Sequence, residues 1–359
     1  MKSSVAVVKT TPDTVLDDIE RVLKLARVED FLRKDAATIL KVNITWHFYY
    51  PACSTTPWQL DGVATSLENR GYKNLIPAQN RTVVVNPRLG AENNHLTSVI
   101  RKHNLKFVYL YEPDIEWVNY RPKAKMLVLD RIFEGRIEIP KMFIGKNAFH
   151  LPTLKTHVFT KMTGAIKNAF GGLLNDNRHW THSHIHETLV DLLQIQKEIH
   201  PGIFCLTDGT IAGNGAGPRV MEPHIKNYLL ASGDSVAIDT IAAKMMGLDP
   251  MKLKFLSLAN EMGLGKANPQ DIEIVGEDIR NVNFHFEVKD TFASRGQKAI
   301  YWGKLKPFEH FLLRTPIVPW SYVASRMYHD FYWYSFFGKK IAKKFLNTDW
   351  GKLFISYKE

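Results

Sequence analysis

Two cysteines, Cys53 and Cys205, are all that the 359 residues carry. There is no Cys-x-x-Cys pair and no set of four, which excludes a self-contained cysteine-ligated zinc or iron–sulphur centre. A reduced compartment is the simplest expectation, and Cys53, in a Ser/Thr-rich loop, reads as a packing residue. Long apolar runs are also missing. The opening MKSSVAVVKTTPDT has no extended apolar core, so no signal peptide is expected. The apolar stretch 316–338 is interrupted by Arg326, His329 and Asp330, which argues against a membrane span. The expected location is therefore cytoplasmic, with association at the inner membrane face as the further option. Another absence is local. Residues 154–172, LKTHVFTKMTGAIKNAFGG, contain no carboxylate, yet they hold Lys155, His157, Lys161 and Lys167 among hydroxyls, an amide and three glycines.

Positive charge is present in excess, with a formal net charge of +11. Residues 301–359 contain ten Lys/Arg against four Asp/Glu, and 17 of the chain's 41 aromatics. Such a segment suits an anionic partner such as membrane headgroups, or else it is a helical cap whose aromatics pack on the domain. Nucleic acid is not expected, because the basic residues do not follow a known binding motif.

Apolar spacing predicts an α/β domain over 1–300 with a mostly parallel or mixed sheet flanked by helices. A basic, aromatic, helical C-terminal extension follows over 301–359. Strands are predicted at 4–9, 38–48, 75–76, 81–85, 107–110, 126–129, 141–143, 203–207, 228–231 and 272–275. Helices are predicted at 14–31, 58–70, 89–103, 188–199, 236–246 and 253–261. Thr55 or Thr56 serves either as an ordinary helix cap or as part of an anion-binding helix start.

Four stretches can carry chemistry. The first is 154–172, read as a loop running into a short helix. His157 suits proton transfer, Lys155 and Lys167 suit a carboxylate or phosphate, and Thr160, Thr163 and Asn168 can hydrogen-bond a ligand that Gly171 lets approach. The second, 178–187, holds four of the 14 histidines. A helix starting near Ser183 would place His182 and His186 on one face, where a divalent metal is the alternative occupant. The third, 203–218, delivers Asp208 at a strand end, where α/β ligands bind. Its Gly213, Gly215 and Gly217 lead into Pro218, which rules out a dinucleotide fingerprint and predicts a mobile loop. The fourth, 230–239, offers Asp234 as a helix cap and Asp239 on a small apolar helix face, where a lysine partner such as Lys167 or Lys155 is expected.

In this order, the four stretches resemble the uncharacterised domain of unknown function 362 family. The shared features are Lys155/His157, Lys167-Asn168 with Gly171, Asp208-Gly209, Ala231 to Asp239 closing at Gly247, and Gly263-Leu264-Gly265. The resemblance spans roughly 44–275. It implies no reaction. Some relatives carry ferredoxin-like iron–sulphur segments, and this chain lacks those cysteines. The residues thus suggest an enzyme acting on an anionic small molecule by Lys/His/Asp acid–base chemistry. A metal- or redox-linked accessory binding protein is one alternative, and a peripheral membrane protein handling a lipid-linked substrate is another. Cofactor identity stays open.

Overall fold

The computed structural model describes residues 3–358. In β1 (Ser4–Lys9), Val5 and Val7 face one apolar core while Ala6 and Val8 face another. This is the period of two expected of a strand covered on both sides. The helix α1 (Val15–Leu25) seats Ile19, Val22 and Leu23 in the second core. The pattern recurs in β2 (Thr38–Val42), where Ile39 faces the first core and Leu40 and Val42 face the second. Lys41 therefore shares the Ile39 face.

The helix α2 (Pro57–Asn69) is capped by the Thr56 hydroxyl, which accepts the Gln59 N–H at 3.3 Å. Pro57 stands at its first turn, where its missing N–H costs nothing. Next come β3 (Leu75–Gln79), α3 (Pro87–Asn93), α4 (Leu96–Lys102) and β4 (Val108–Tyr109). A separate two-stranded ribbon pairs β5 (Trp117–Tyr120) with β6 (Ile137–Pro140), and α5 (Leu129–Ile132) lies between them.

The middle of the chain builds β7 (Asn147–Leu151), β8 (Thr153–His157), β9 (Lys161–Met162), α6 (Ala165–Asn168), α7 (Phe170–Leu173) and α8 (Ile185–Ile199). A long antiparallel hairpin follows, β10 (Ile203–Ala216) and β11 (Val220–Ser232), then α9 (Ser235–Met246), α10 (Lys254–Glu261) and β12 (Glu273–Gly276).

The strands form a mixed sheet in the order β12-β1-β11-β10-β7-β2-β3-β4, with β8 beside the outer part of β10 and β9 beside β8. The β10–β7–β2–β3–β4 pairings are parallel, and β11 runs antiparallel to both neighbours. Helices α6–α10 cover the first face, and α1–α4 cover the second. This is the α/β architecture expected from the sequence.

The C-terminal part is helical. It comprises α11 (Phe292–Tyr301), α12 (Glu309–Arg314), α13 (Pro319–Arg326), a π-helical stretch Met327–Gly338, α14 (Lys339–Phe345) and α15 (Asp349–Ser356). Phe345, Trp350 and Phe354 are buried in the second core. Among the described residues, no helix is long and apolar enough to cross a membrane.

Some local expectations fail for identifiable reasons. Residues 126–129 do not form a strand, because the buried Asp191 carboxylate accepts the N–H groups of Leu127, Val128 and Leu129 at 2.7–3.0 Å. Lys141–Phe143 is a 3-10 turn, and the 38–48 strand stops at Val42. The glycines from 213 to 217 do not form a mobile loop. Gly213 and Gly215 lie within β10, and Gly217 sits at the hairpin end, where an added Cβ would lie 1.8 Å from the Thr156 carbonyl oxygen. Glycine there allows close packing of two backbones.

Candidate functional site

The stretch that opens the site is a strand before it is a loop. The parallel strand β7 passes through Pro152 into β8, which carries Lys155 and His157 past the end of β2. The chain turns back through β9 and enters the short helices α6 and α7, which bring Lys167, Asn168 and Gly171 towards the same region. Thr160 and Thr163 hold this turn. The Thr160 hydroxyl donates to the Met162 carbonyl at 2.7 Å, and that of Thr163 donates to the Thr153 carbonyl at 3.3 Å.

What gathers here is cationic and poorly solvated. Lys155 is fully buried, and its Nζ donates to the Thr153 hydroxyl at 2.9 Å, the Thr45 hydroxyl at 3.3 Å and the Cys53 carbonyl. Burial pushes its pKa down to about 8. Lys41 is equally buried, donates to the Val42 carbonyl and the Gln79 side-chain oxygen, and is pushed down to about 7 by burial and by nearby Arg178. Among the described residues, Arg178 finds only carbonyl acceptors, at Leu174, Asn175 and Arg81, and burial lowers it to about 10. Lys167 differs from all three. Its ammonium lies 5.2 Å from the Phe170 ring centroid, with no hydrogen-bond or ion-pair partner among the described residues. Burial, then the charges of Lys155 and Arg178, bring it down to about 7.

The histidines complete the set. Burial, followed by Lys167 and then His182, pushes His157 well below the ordinary imidazole range. Phe159 N–H donates to His157 Nδ1 at 3.1 Å, so the neutral ring carries its proton on Nε2. His182 has the opposite tautomer, because its Nδ1 donates to the His179 carbonyl at 3.0 Å. Its Nε2 thus presents a lone pair, and burial lowers its pKa to about 3. The Tyr301 ring stacks on His182 at 5.4 Å, and Trp302 Nε1 donates to the Ser183 carbonyl at 2.9 Å. The C-terminal segment therefore roofs the histidine tract.

The helix expected from Ser183 starts later. Residues Asp176–His184 are 3-10 and α8 begins at Ile185, so His182 and His186 do not share a helix face. His182 packs on Tyr301 and His186 on Phe255, where His186 Nδ1 is buried without a partner among the described residues. Among the described residues, no three His, Cys, Asp or Glu side chains are arranged to hold a metal ion.

The expected lysine–carboxylate pairs do not form among the described residues. The Asp208 carboxylate accepts the Thr56 hydroxyl at 2.6 Å and the Thr210 N–H at 2.8 Å. It lies inside β10 rather than at a strand end, and burial raises its pKa. The Asp239 carboxylate accepts the first two N–H groups of α6, from Ala165 at 2.6 Å and Ile166 at 3.1 Å. Burial outweighs these bonds and raises its pKa to about 7. Gly164 makes the approach possible, since a Cβ there would meet the Asp239 oxygen at 2.2 Å. Asp234 caps α9, accepting N–H groups from Val236 and Ala237 at 2.9 and 3.0 Å, and also accepts the Ser3 hydroxyl at 2.6 Å.

Sequence reasoning missed Lys41, His150, Gln79 and Arg178. The signal for Lys41 was a lone lysine inside the apolar run of β2. His150 is held between the Gln196 side-chain oxygen at 2.6 Å and the Asn168 amide at 3.4 Å, and Asn168 also donates to the Lys41 carbonyl at 2.7 Å. The open groove lined by Asp61, Lys102 and Tyr357 lies elsewhere, and its carboxylate is already paired with Lys102 and His103. Groove size thus does not choose the site.

A family profile described as Domain of unknown function (DUF362) matches residues 38–244, and the chain belongs to that family. The match takes in β8, α6, Asp208 and Asp239. A thylakoid-associated protein of Synechocystis sp. is 30% identical over 129 residues, which is 35% of this chain and 39% of that relative. The chain thus spans less than half the length of the curated relative it matches. No solved structure matches.

Proposed function

We propose that this family member binds an anionic small molecule, a carboxylate or a phosphate, beside Lys167 and moves a proton on it. The observation that carries the reading is a set of three buried cations and a half-buried one, Lys167, none paired with a carboxylate among the described residues. Proteins normally pair buried charges. Here, among the described residues, Lys41, Lys155 and Arg178 rest on neutral oxygens, and Lys167 rests on an aromatic face only. A ligand anion would supply the missing charge. Lys167 would hold the anion, His157 would donate a hydrogen bond to it through Nε2–H, and His182 would take the proton on its Nε2 lone pair, becoming imidazolium. Lys41 and Lys155 have fixed acceptors and would contribute positive potential. Asp239 would act by holding α6, and with it Lys167, in position.

This arrangement fixes a pH dependence. An anion favours the charged form of Lys167, whose unliganded pKa is about 7. Above that value, binding must take up a proton. Affinity should therefore fall by up to about tenfold per pH unit above neutrality. Calorimetry with inorganic phosphate, acetate and malonate, repeated at pH 8 in buffers of different ionisation enthalpy, should show proton uptake close to one per site. Binding without proton uptake, or no binding by any of these anions, would overturn the proposal.

The Synechocystis relative is named as thylakoid-associated. For this chain, residence at a membrane surface is likewise a proposal, compatible with a site that takes a soluble anion.

A further inference from the structure

The helical run from Pro319 to Phe345 has two unlike faces. One is fastened to the body. Trp46 Nε1 donates to Asp330 at 2.7 Å, the Tyr334 hydroxyl donates to the Tyr49 carbonyl at 3.2 Å, and the Tyr334 ring stacks on Phe48 at 4.2 Å. The other face is open. Val323 is 60%, Met327 56%, Phe331 65% and Phe336 63% exposed. These residues are spaced four, four and five apart, so they form one stripe, the wider last step following the π-helical turn. Phe308 and Phe311 lie exposed on the adjoining segment. A contiguous apolar patch of this kind marks an interaction surface on a soluble body.

The charge around it selects the partner. Arg326, Lys339, Lys340, Lys343 and Lys344 are exposed, and none is paired with a carboxylate among the described residues. Apolar and aromatic side chains beside unpaired cations match the boundary of an anionic bilayer, where acyl chains take the former and headgroups the latter. With one face already fixed, the helix meets such a surface without having to fold first. We infer that the stripe Val323–Phe336, with the basic residues 339–344, docks this protein on an anionic phospholipid membrane, lying in the interface without crossing it.

The test is flotation of the full chain with vesicles of phosphatidylcholine alone and vesicles containing about a third phosphatidylglycerol. The protein should float with the anionic vesicles, and high salt should release most of it, since a short Debye length screens the basic residues. The double variant V323E/F331E should lower the bound fraction by about tenfold or more. Both positions are exposed, so its thermal midpoint and secondary structure should match the wild type, and the variant Lys339→Gln/Lys343→Gln should weaken binding without touching the stripe. Failure of the wild type to float, or equal flotation of V323E/F331E, would overturn the inference. So would a concentration-dependent dimer that the same variant dissolves while vesicle binding is absent, because the face would then meet a second copy.

Discussion

Replacing Lys167 by methionine should make the ligand-free protein more stable and at the same time abolish its response to anions. The stabilisation comes from removing a half-buried cation that, among the described residues, has only the Phe170 ring beside it. The folded pKa of Lys167 is about 7 against an ordinary 10.5. Between these values the unfolded chain binds more protons than the folded one, so the lysine's penalty is complete below neutrality and fades as pH rises towards 10.5. The side chain is only half-buried, which screens the effect. The expected gain is about 1–2 kcal/mol near neutral pH, well short of the full shift at about 1.4 kcal/mol per unit. Urea unfolding of both proteins from pH 7 to 10 should show a shallower rise for Lys167→Met. The same variant should lose phosphate binding in calorimetry. A variant that is less stable and still binds would make Lys167 a structural residue.

Asp239→Ala should be costly, at about 3–4 kcal/mol. It strands the Ala165 and Ile166 N–H groups in a fully buried position and leaves a cavity behind. Asparagine keeps one good acceptor and nearly the same volume, so Asp239→Asn should cost about 1–2 kcal/mol. The pH dependence runs opposite to that of Lys167. With a folded pKa of about 7 against 3.8, the folded state holds the extra proton between those values. The carboxyl's contribution therefore declines as pH rises from about 4 to 7, and both variants should lose that decline. Because α6 carries Lys167, the alanine variant should also weaken anion binding more than its stability loss explains, and Asp239→Asn should restore most of it. Equal binding in Asp239→Ala and wild type would show that α6 does not position the lysine.

These two residues show what the sequence could and could not reveal. The alternation of β1 and the spacing of α1 followed from apolar periodicity, β2 from its β-branched composition, and α2 and α9 from their caps and closing glycines. The α/β class was legible because strands alternate with helices along the chain. The caps at Thr56 and Asp234 were legible too, since a cap is a local event. The partner of Asp239 was not. A carboxylate on a small apolar helix face, in a chain whose 154–172 lysines have no carboxylate near them in sequence, suggested an ion pair, yet its acceptor capacity is used by two backbone N–H groups 73 and 74 positions away. The strand β7 was missed because Asn147 and His150 interrupt its apolar pattern, and each is satisfied by a tertiary partner. The long β10–β11 hairpin was cut short by its glycines, which in isolation signal a loop.

The seating of the last helices on the second face also bears on when that face can close. Tyr357 bonds Asp61 of α2 across 296 positions of chain, and Trp350 packs on Trp58 with ring centroids 5.1 Å apart. During synthesis, α2 emerges long before either partner. Its buried tryptophan must then stay exposed, or be shielded by a chaperone, while the rest of the sheet is being made. Nascent chains stalled before residue 345 should remain open to protease at α2, even after β1, β2 and β3 have entered the sheet.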